Sequence, residues 1–173
     1  MGVRLPFGDM GPCEIVWGYG ESGEITISPF LGTVTLGMED TINDIQEEGY
    51  GEAPVDAVGG GAQVTLEIPM TRSSVDQLEQ VLQAEREGDI LYLSSRAGCP
   101  MYEDAKALVI KPVCDNVASV NHAEWVLLYK TFPFRKFELA WDRSTQRVFL
   151  IGFKVFPSQE SGQVGKYLQI GVA

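Results

Sequence analysis

The feature that most constrains the fold is a strict alternation in Gln63-Val64-Thr65-Leu66-Glu67-Ile68. Successive side chains of a strand point to opposite faces, so Val64, Leu66 and Ile68 share one face while Gln63, Thr65 and Glu67 share the other. A helix, with its period of about 3.6 residues, would scatter these apolar groups around its surface. The segment is therefore read as a half-buried strand with one wet side, the usual condition of an antiparallel sheet.

Other short runs rich in Val, Ile, Thr and aromatics, separated by Gly, Pro and Asp, extend the reading. Strands are expected near Cys13 to Trp17, Glu24 to Ser28, Thr33 to Glu39, Ala62 to Pro69, Ile90 to Ser94, Leu108 to Val113, Glu124 to Tyr129, Phe137 to Trp141 and Val148 to Phe156. Asp142 to Gln146 is polar and reads as the turn joining the last two. One helix is signalled by Ser74 with Gln77 as a capping box and by Val75, Leu78, Val81 and Leu82 on a single face, ending near Gly88. A shorter helical turn is expected over Pro100 to Ala105. With 173 residues, 45% of them hydrophobic, the chain can bury one sizeable core. The expected architecture is mainly β: an antiparallel sandwich or barrel, residues 1–173 in one domain, with one packed helix and a long extended loop.

That loop is Asp40 to Gly61, DTINDIQEEGYGEAPVDAVGGG. It lacks sustained periodicity, and long segments of this kind in compact domains tend to be functional. Ile42, Ile45, Tyr50, Val55 and Val58 are more apolar side chains than a free linker requires, so a covering surface is expected. Gly59-Gly60-Gly61 supplies a joint before the strand.

Charge is distributed unevenly. Thirteen Lys and Arg stand against 24 Asp and Glu, a formal net charge of −11, which disfavours tight binding to nucleic acid. Residues 1–60 carry eleven acids against Arg4 alone, whereas the remainder is nearly balanced. Lys130, Arg135, Lys136, Arg143 and Arg147 against Glu138 and Asp142 make a locally positive stretch. Such a dipole suits copies that pack acidic face to basic face.

The chemical motifs fail on context. Gly18-Tyr19-Gly20-Glu21-Ser22-Gly23 matches G-x-G-x-x-G, but Glu24 to Ser28 follows as a strand, so no helix N-terminus is available for a pyrophosphate. The acidic run from Asp40 has Ile42 and Ile45 where a calcium loop needs an oxygen ligand and a glycine. His122 is the single histidine and has no nucleophile elbow near it. Glu47 and Glu48, on a loop, lack the rigid separation that glycoside hydrolysis demands. Cys13, Cys99 and Cys114 are dispersed, with no C-x-x-C pair. No catalytic residue, metal site or cofactor is expected. Met1 to Gly20 lacks a signal-peptide pattern, Pro6 breaks the myristoylation pattern, and no run approaches the ~18–20 apolar residues of a membrane span.

The remaining combination is a β-rich domain, an acidic first part, one helix after the alternating strand, and a loop bearing Glu48, Tyr50, Gly51, Pro54, Val55 and Asp56, then Gly61 and Thr65-Leu66-Glu67-Ile68-Pro69-Met70-Thr71. This resembles the major tail tube proteins of tailed bacteriophages and the related tubes of type VI secretion systems. The resemblance covers roughly residues 13–85 and extends beyond only by strand pattern; Ser95 to Asp104 and Asp115 to Ala123 depart from it. It implies subunits that close into rings, usually six-fold, and stack into a hollow conduit for viral DNA in the virion tail, assembled in the host cytoplasm. Implied partners are further copies of the chain, the tape measure, baseplate and terminator proteins, and passing DNA without tight binding; no membrane is involved.

By the same resemblance, Ile42, Ile45, Glu47, Glu48, Tyr50, Gly51, Pro54, Val55 and Asp56 belong to a subunit or ring interface, with Arg135, Lys136 and Arg143 as basic counterparts. Glu14, Glu24 and Glu39 are candidate acids of the lumen. A tail terminator or baseplate protein on the same sandwich fits as well, and an aromatic-faced sandwich also fits a carbohydrate-binding module.

Overall fold

The structure, a computed structural model, describes residues 12–27, 33–46, 54–70, 75–93, 98–115, 117–134 and 149–171. Its elements in chain order are β1 (Cys13–Trp17), β2 (Ile25–Ile27), β3 (Thr35–Gln46), β4 (Pro54–Met70), α1 (Val75–Leu82), β5 (Glu85–Glu87), β6 (Ile90–Tyr92), β7 (Lys106–Cys114), β8 (Val117–Ala118), a 3₁₀ turn (His122–Glu124), β9 (Val126–Phe134), β10 (Phe149–Phe156) and β11 (Leu168–Ile170). The main sheet has nine strands in the order β2-β1-β7-β9-β10-β4-β3, with β11 also on β9 and β8 also on β7. Every pairing is antiparallel.

The alternation along β4 places Val64, Leu66, Ile68 and Met70 inward, each at most 2% exposed. They join Ile15, Trp17, Ile25 and Ile27 of β1 and β2, Leu108 of β7, Leu128 of β9, Phe153 of β10 and Val81 of α1 in one cluster. β2 and β4 lie far apart in the strand order yet share this core, so the sheet curls around it as an open barrel, and α1 lies against it. Burying each of the large aliphatics contributes about 1.5–3 kcal/mol. Gln77 Nε2 of α1 donates to the Thr26 carbonyl at 3.1 Å, which ties the helix to β2. Trp17 Nε1 donates to the Thr131 carbonyl at 3.4 Å, and buried Thr131 donates its hydroxyl to the Lys106 carbonyl at 2.7 Å. That bond sits where the β7–β9 register shifts between Lys106 and Leu108.

The opposite face carries a second, smaller cluster of Val16, Val109 and Trp125, with Tyr19 and Leu127 against it. The connection after β8 closes over it. Trp125 Nε1 donates to the Ser119 carbonyl at 2.8 Å, and His122 stacks on Trp125 with ring centroids 4.1 Å apart. The mainly antiparallel β architecture with a packed helix is thus as the sequence indicated.

Three local expectations differ, and two short strands were not foreseen. The stretch read as a loop from Asp40 to Gly61 is largely strand: β3 and β4 continue outward as a paired ribbon to Gln46 and Pro54. Neither side of this ribbon is buried within the monomer, so no alternation marked it. Pro100 to Ala105 forms a single turn, closed by Ala105 N–H to the Tyr102 carbonyl at 3.2 Å, and no helix. The helix ends at Leu82, before Gln83 at a positive φ of 49°, and Glu85 to Tyr92 fold into a small ribbon instead of extending it. β11 and β8 carry too few residues to show a pattern. The expected strand Phe137 to Trp141 and turn Asp142 to Gln146 lie outside the described residues, as does Ser74 of the capping box.

Candidate assembly surface

The arm made by the outer halves of β3 and β4 is the most distinctive surface. Pairing runs from Thr35↔Glu67 through Thr41↔Gly61, shifts register, and resumes at Ile42↔Gly59 to Ile45↔Asp56 and Gln46↔Pro54. Glycine is required at the shift. Gly61 has φ +109°, and a Cβ on Gly60 would meet Asn43 Nδ2 at 2.8 Å and Thr41 Cγ2 at 3.2 Å. Bulges of this kind bend a strand and redirect its side chains, so Gly59-Gly60-Gly61 acts as a bend within a paired ribbon.

From Met38 outward, on both sides of the bend, the arm has no core of its own. Met38 is 55% exposed, Ile42 65%, Val58 53%, and Ile45 and Val55 42% each. Interleaved with them are Glu39, Asp40, Asp44 and Asp56, all exposed. Asp56 Oδ1 accepts from the Ala57 amide at 2.8 Å, a local contact that stiffens the returning strand. The structure therefore brings Ile42, Ile45, Pro54, Val55 and Asp56 onto one element. Glu47, Glu48, Tyr50 and Gly51, and Arg135, Lys136 and Arg143, lie outside the described residues. Met38 was not foreseen, because it belongs to a strand whose inner half is buried through Leu36.

The three acids proposed for a lumen do not share one patch. Glu14 on β1 lies on the face of Val16 and pairs with Lys111 of β7 at 3.6 Å. Glu24 folds back to accept the Gly20 amide at 2.7 Å and closes the glycine-rich β1–β2 turn. Glu39 is exposed on β3, at the other end of the strand order. The turn itself has Gly18 and Gly20 at positive φ and runs directly into β2, a hairpin and not a phosphate cradle.

The polar connection around His122 is structural in character. Asn121 caps the 3₁₀ turn by accepting the Ala123 amide. Ser119 Oγ donates to Glu124 Oε2 at 2.6 Å and Asn121 Nδ2 to Glu124 Oε1 at 3.0 Å. These donors hold the Glu124 carboxyl below the usual carboxylate range. The imidazole is stacked on Trp125 and the serine is engaged by a carboxylate, an arrangement that gives no activated nucleophile.

A cleft of about 680 Å³ opens between α1 and the β1–β2 turn. Glu21, Glu79, Glu103, Asp104, Lys106 and Lys130 contribute to its lining. Its lysines are engaged, Lys106 with Glu21 at 3.6 Å and Lys130 with Glu160 at 3.1 Å. Among the described residues, no group of three or more His, Cys, Asp or Glu is arranged to hold a metal ion, and no helix is long and apolar enough to cross a membrane.

No protein-family model matches the sequence, and no curated protein matches it. Among solved structures, the chain is similar to one in the six-fold symmetrised cryo-EM structure of the anti-feeding prophage baseplate. The TM-score is 0.52 with 12% identity, over 89% of this chain and 91% of the other. At that identity the common property is the fold, over nearly the whole of both chains.

Proposed function

We propose that this chain is a non-enzymatic structural subunit of a phage tail-type assembly, which closes with copies of itself into rings, six-fold by analogy, that stack into a hollow tube for DNA. The observation that carries the proposal is the β3–β4 arm, an extended ribbon with large exposed apolar residues on a chain whose fold is that of a baseplate subunit. Obligate interfaces commonly bury more than ~2,000 Å² and are apolar at their centre. A neighbouring copy supplies the cover that the arm lacks, and residues 40–61, with Glu47, Glu48, Tyr50 and Gly51 among them, act as its assembly element. Arg135, Lys136 and Arg143 offer the opposite charge.

The acidic balance supports a conduit. Duplex DNA carries one phosphate charge per ~1.7 Å, so a basic wall would hold it along its length and an acidic one lets it slide. Glu14, Glu24 and Glu39 are the proposed lumen acids; Lys111 partly offsets the first. The remaining partners would be the tape measure, baseplate and terminator proteins, in a virion tail assembled in the host cytoplasm, with no cofactor and no membrane.

A second reading, a ring of the baseplate itself, is favoured by the solved baseplate chain of the same fold. Negative-stain electron microscopy of the purified protein across a concentration series, beside light scattering, separates the two. Hollow tubes that lengthen with concentration support the tube, whereas isolated rings that do not stack support the baseplate. A monodisperse monomer throughout would overturn both.

A further inference from the structure

The connection from Val117 to Trp125 falls in the stretch Asp115 to Ala123, which departs from the tail tube pattern, and it closes over the outer face of β1, β7 and β9. Cross-strand pairing builds that face in rows. Val16 sits beside Val109 and Val109 beside Leu127, while Glu14 sits beside Lys111. Trp125 enters β9 in an extended conformation, φ −81° and ψ 149°, two residues before Leu127 and so on the same face. There it packs on buried Val16 and Val109. The Lys111 ammonium lies 4.7 Å from its ring centroid, and His122 stacks on it from the connection.

We infer that this connection is a lid over the Trp125 cluster, that Glu124 is its latch, and that acid releases it. The two carboxylate oxygens take different donors, Ser119 Oγ on Oε2 at 2.6 Å and Asn121 Nδ2 on Oε1 at 3.0 Å. Both donors also serve the backbone. Ser119 Oγ accepts the Asn121 amide at 3.1 Å, and Asn121 Oδ1 accepts the Ala123 amide at 3.2 Å. The carboxylate therefore fixes the side-chain rotamers on which these turns of the lid depend. The Ser119 carbonyl accepts Trp125 Nε1 at 2.8 Å, which carries the constraint to the ring above the cluster. Hydrogen bonds to an ionised acceptor are roughly twice as strong as neutral ones. A protonated carboxyl turns one of its oxygens into a donor, so both side chains lose a charged acceptor and one of them meets a hydroxyl.

The sign of the pH effect follows from the same contacts. Ser119 first and Asn121 second lower the Glu124 carboxyl from its ordinary value of 4.5. The latch is thus fully closed above 4.5 and is lost as pH falls through the lower folded value. Other titratable groups face the lid from the elements around it. Lys111 of β7 pairs with Glu14 of β1 at 3.6 Å, Tyr19 of the β1–β2 turn meets the edge of Trp125, and the connection itself carries His122, with Asp115 just before it. β11, whose following Gly171 amide donates to the Trp125 carbonyl at 2.8 Å, contributes Leu168, Gln169 and Ile170, all uncharged. Glu124 is the group among these whose charge closes hydrogen bonds within the lid.

The test is hydrogen exchange of the full chain read by mass spectrometry, with protection corrected for the intrinsic pH dependence of exchange. Glu124→Gln keeps the size of the side chain and one acceptor but removes the charge. At pH 7 it should lower protection over residues 117–125 by about threefold or more, with residues 62–70 of the core as protected as in the wild type. Equal protection of the lid in the two proteins would overturn the inference. Between pH 6 and pH 3 the wild type should lose the same protection, whereas Glu124→Gln, already open, should not respond. His122→Phe keeps a ring on Trp125 without a titrating imidazole, and it should respond as the wild type does; a response that vanishes in this variant would assign the effect to His122. Ser119→Ala removes the first donor and should move the loss to higher pH, and an unmoved loss would contradict the latch. Core and lid losing protection together would show that the lid has no opening of its own, and would overturn the inference as well.

Discussion

Gly152 offers a quantitative check of the β9–β10 packing. It pairs with Phe134 across the two strands, and the ring of Phe134 lies over it, so that a Cβ there would fall 2.6 Å from Cε1 and Cε2. Ordinary carbon contacts are ~3.5–4.0 Å, so Gly152→Ala forces the ring or the strand to move by about 1 Å. Overpacking of this kind costs about 1–3 kcal/mol. In a chain of this size each kcal/mol lowers Tm by roughly 2–4 °C, a fall of roughly 2–12 °C. Removing the ring should reverse the sign. In a Phe134→Ala background the new methyl has room, and the lost freedom of the unfolded glycine contributes about 0.5–1 kcal/mol in favour of alanine. Urea unfolding of the four proteins, followed by circular dichroism below the assembly concentration, closes the double-mutant cycle. Equal destabilisation by Gly152→Ala in both backgrounds would refute the contact as the cause.

Thr131→Val should cost about 1–3 kcal/mol in the same assay, because it removes the 2.7 Å hydroxyl donor that the buried Thr131 gives the half-buried Lys106 carbonyl at the register shift; an unchanged midpoint would count against that role. Burial pushes the Cys13 thiol up, whereas Cys99 and Cys114 are exposed, so a thiol reagent at pH 8 should modify the latter two quickly and Cys13 slowly, with mass spectrometry identifying each. The same shift sets a pH trend. With the folded value above the unfolded one, the contribution of Cys13 is full below the ordinary thiol value of 9.0 and declines as pH rises through the folded value; Cys13→Val should flatten that decline. Deleting residues 42–58 leaves Thr41 joined to the glycine bend and spares every core residue, so a folded monomer that no longer assembles is expected; tubes from this variant would end the proposed role of the arm. Charge reversal at Glu47 and Glu48 should weaken stacking in a salt-dependent way, and light scattering that is indifferent to both charge and salt would contradict it.

How much of each element can be read in advance depends on what that part of the chain buries. Where one face of a strand meets the core, as in Gln63 to Ile68, selection for burial writes a period of two into the sequence, and the strand is legible without coordinates. α1 was equally legible through the helical spacing of Leu78, Val81 and Leu82, and the hairpin at Gly18 to Gly23 through its glycines followed by a β-branched run. The arm was not legible as a ribbon, since both its faces are exposed in the monomer and the bulge at Gly60 resets its phase. The apolar residues from Ile42 to Val58 could be recognised as needing a cover, but not assigned to faces.

The sequence by itself determined a β-rich chain with one helix, a strongly acidic first part, and an apolar segment that a monomer does not bury, because composition, periodicity and charge are local properties. Only the tertiary structure decided that β2 and β4 meet across one curled sheet, that Glu14 and Glu24 are tied to Lys111 and to the Gly20 amide, and that Ile42 and Val58 face opposite ways. Strand order, register and the sense of a bulge depend on pairings between residues far apart in the chain, and those pairings leave no periodic trace in the sequence.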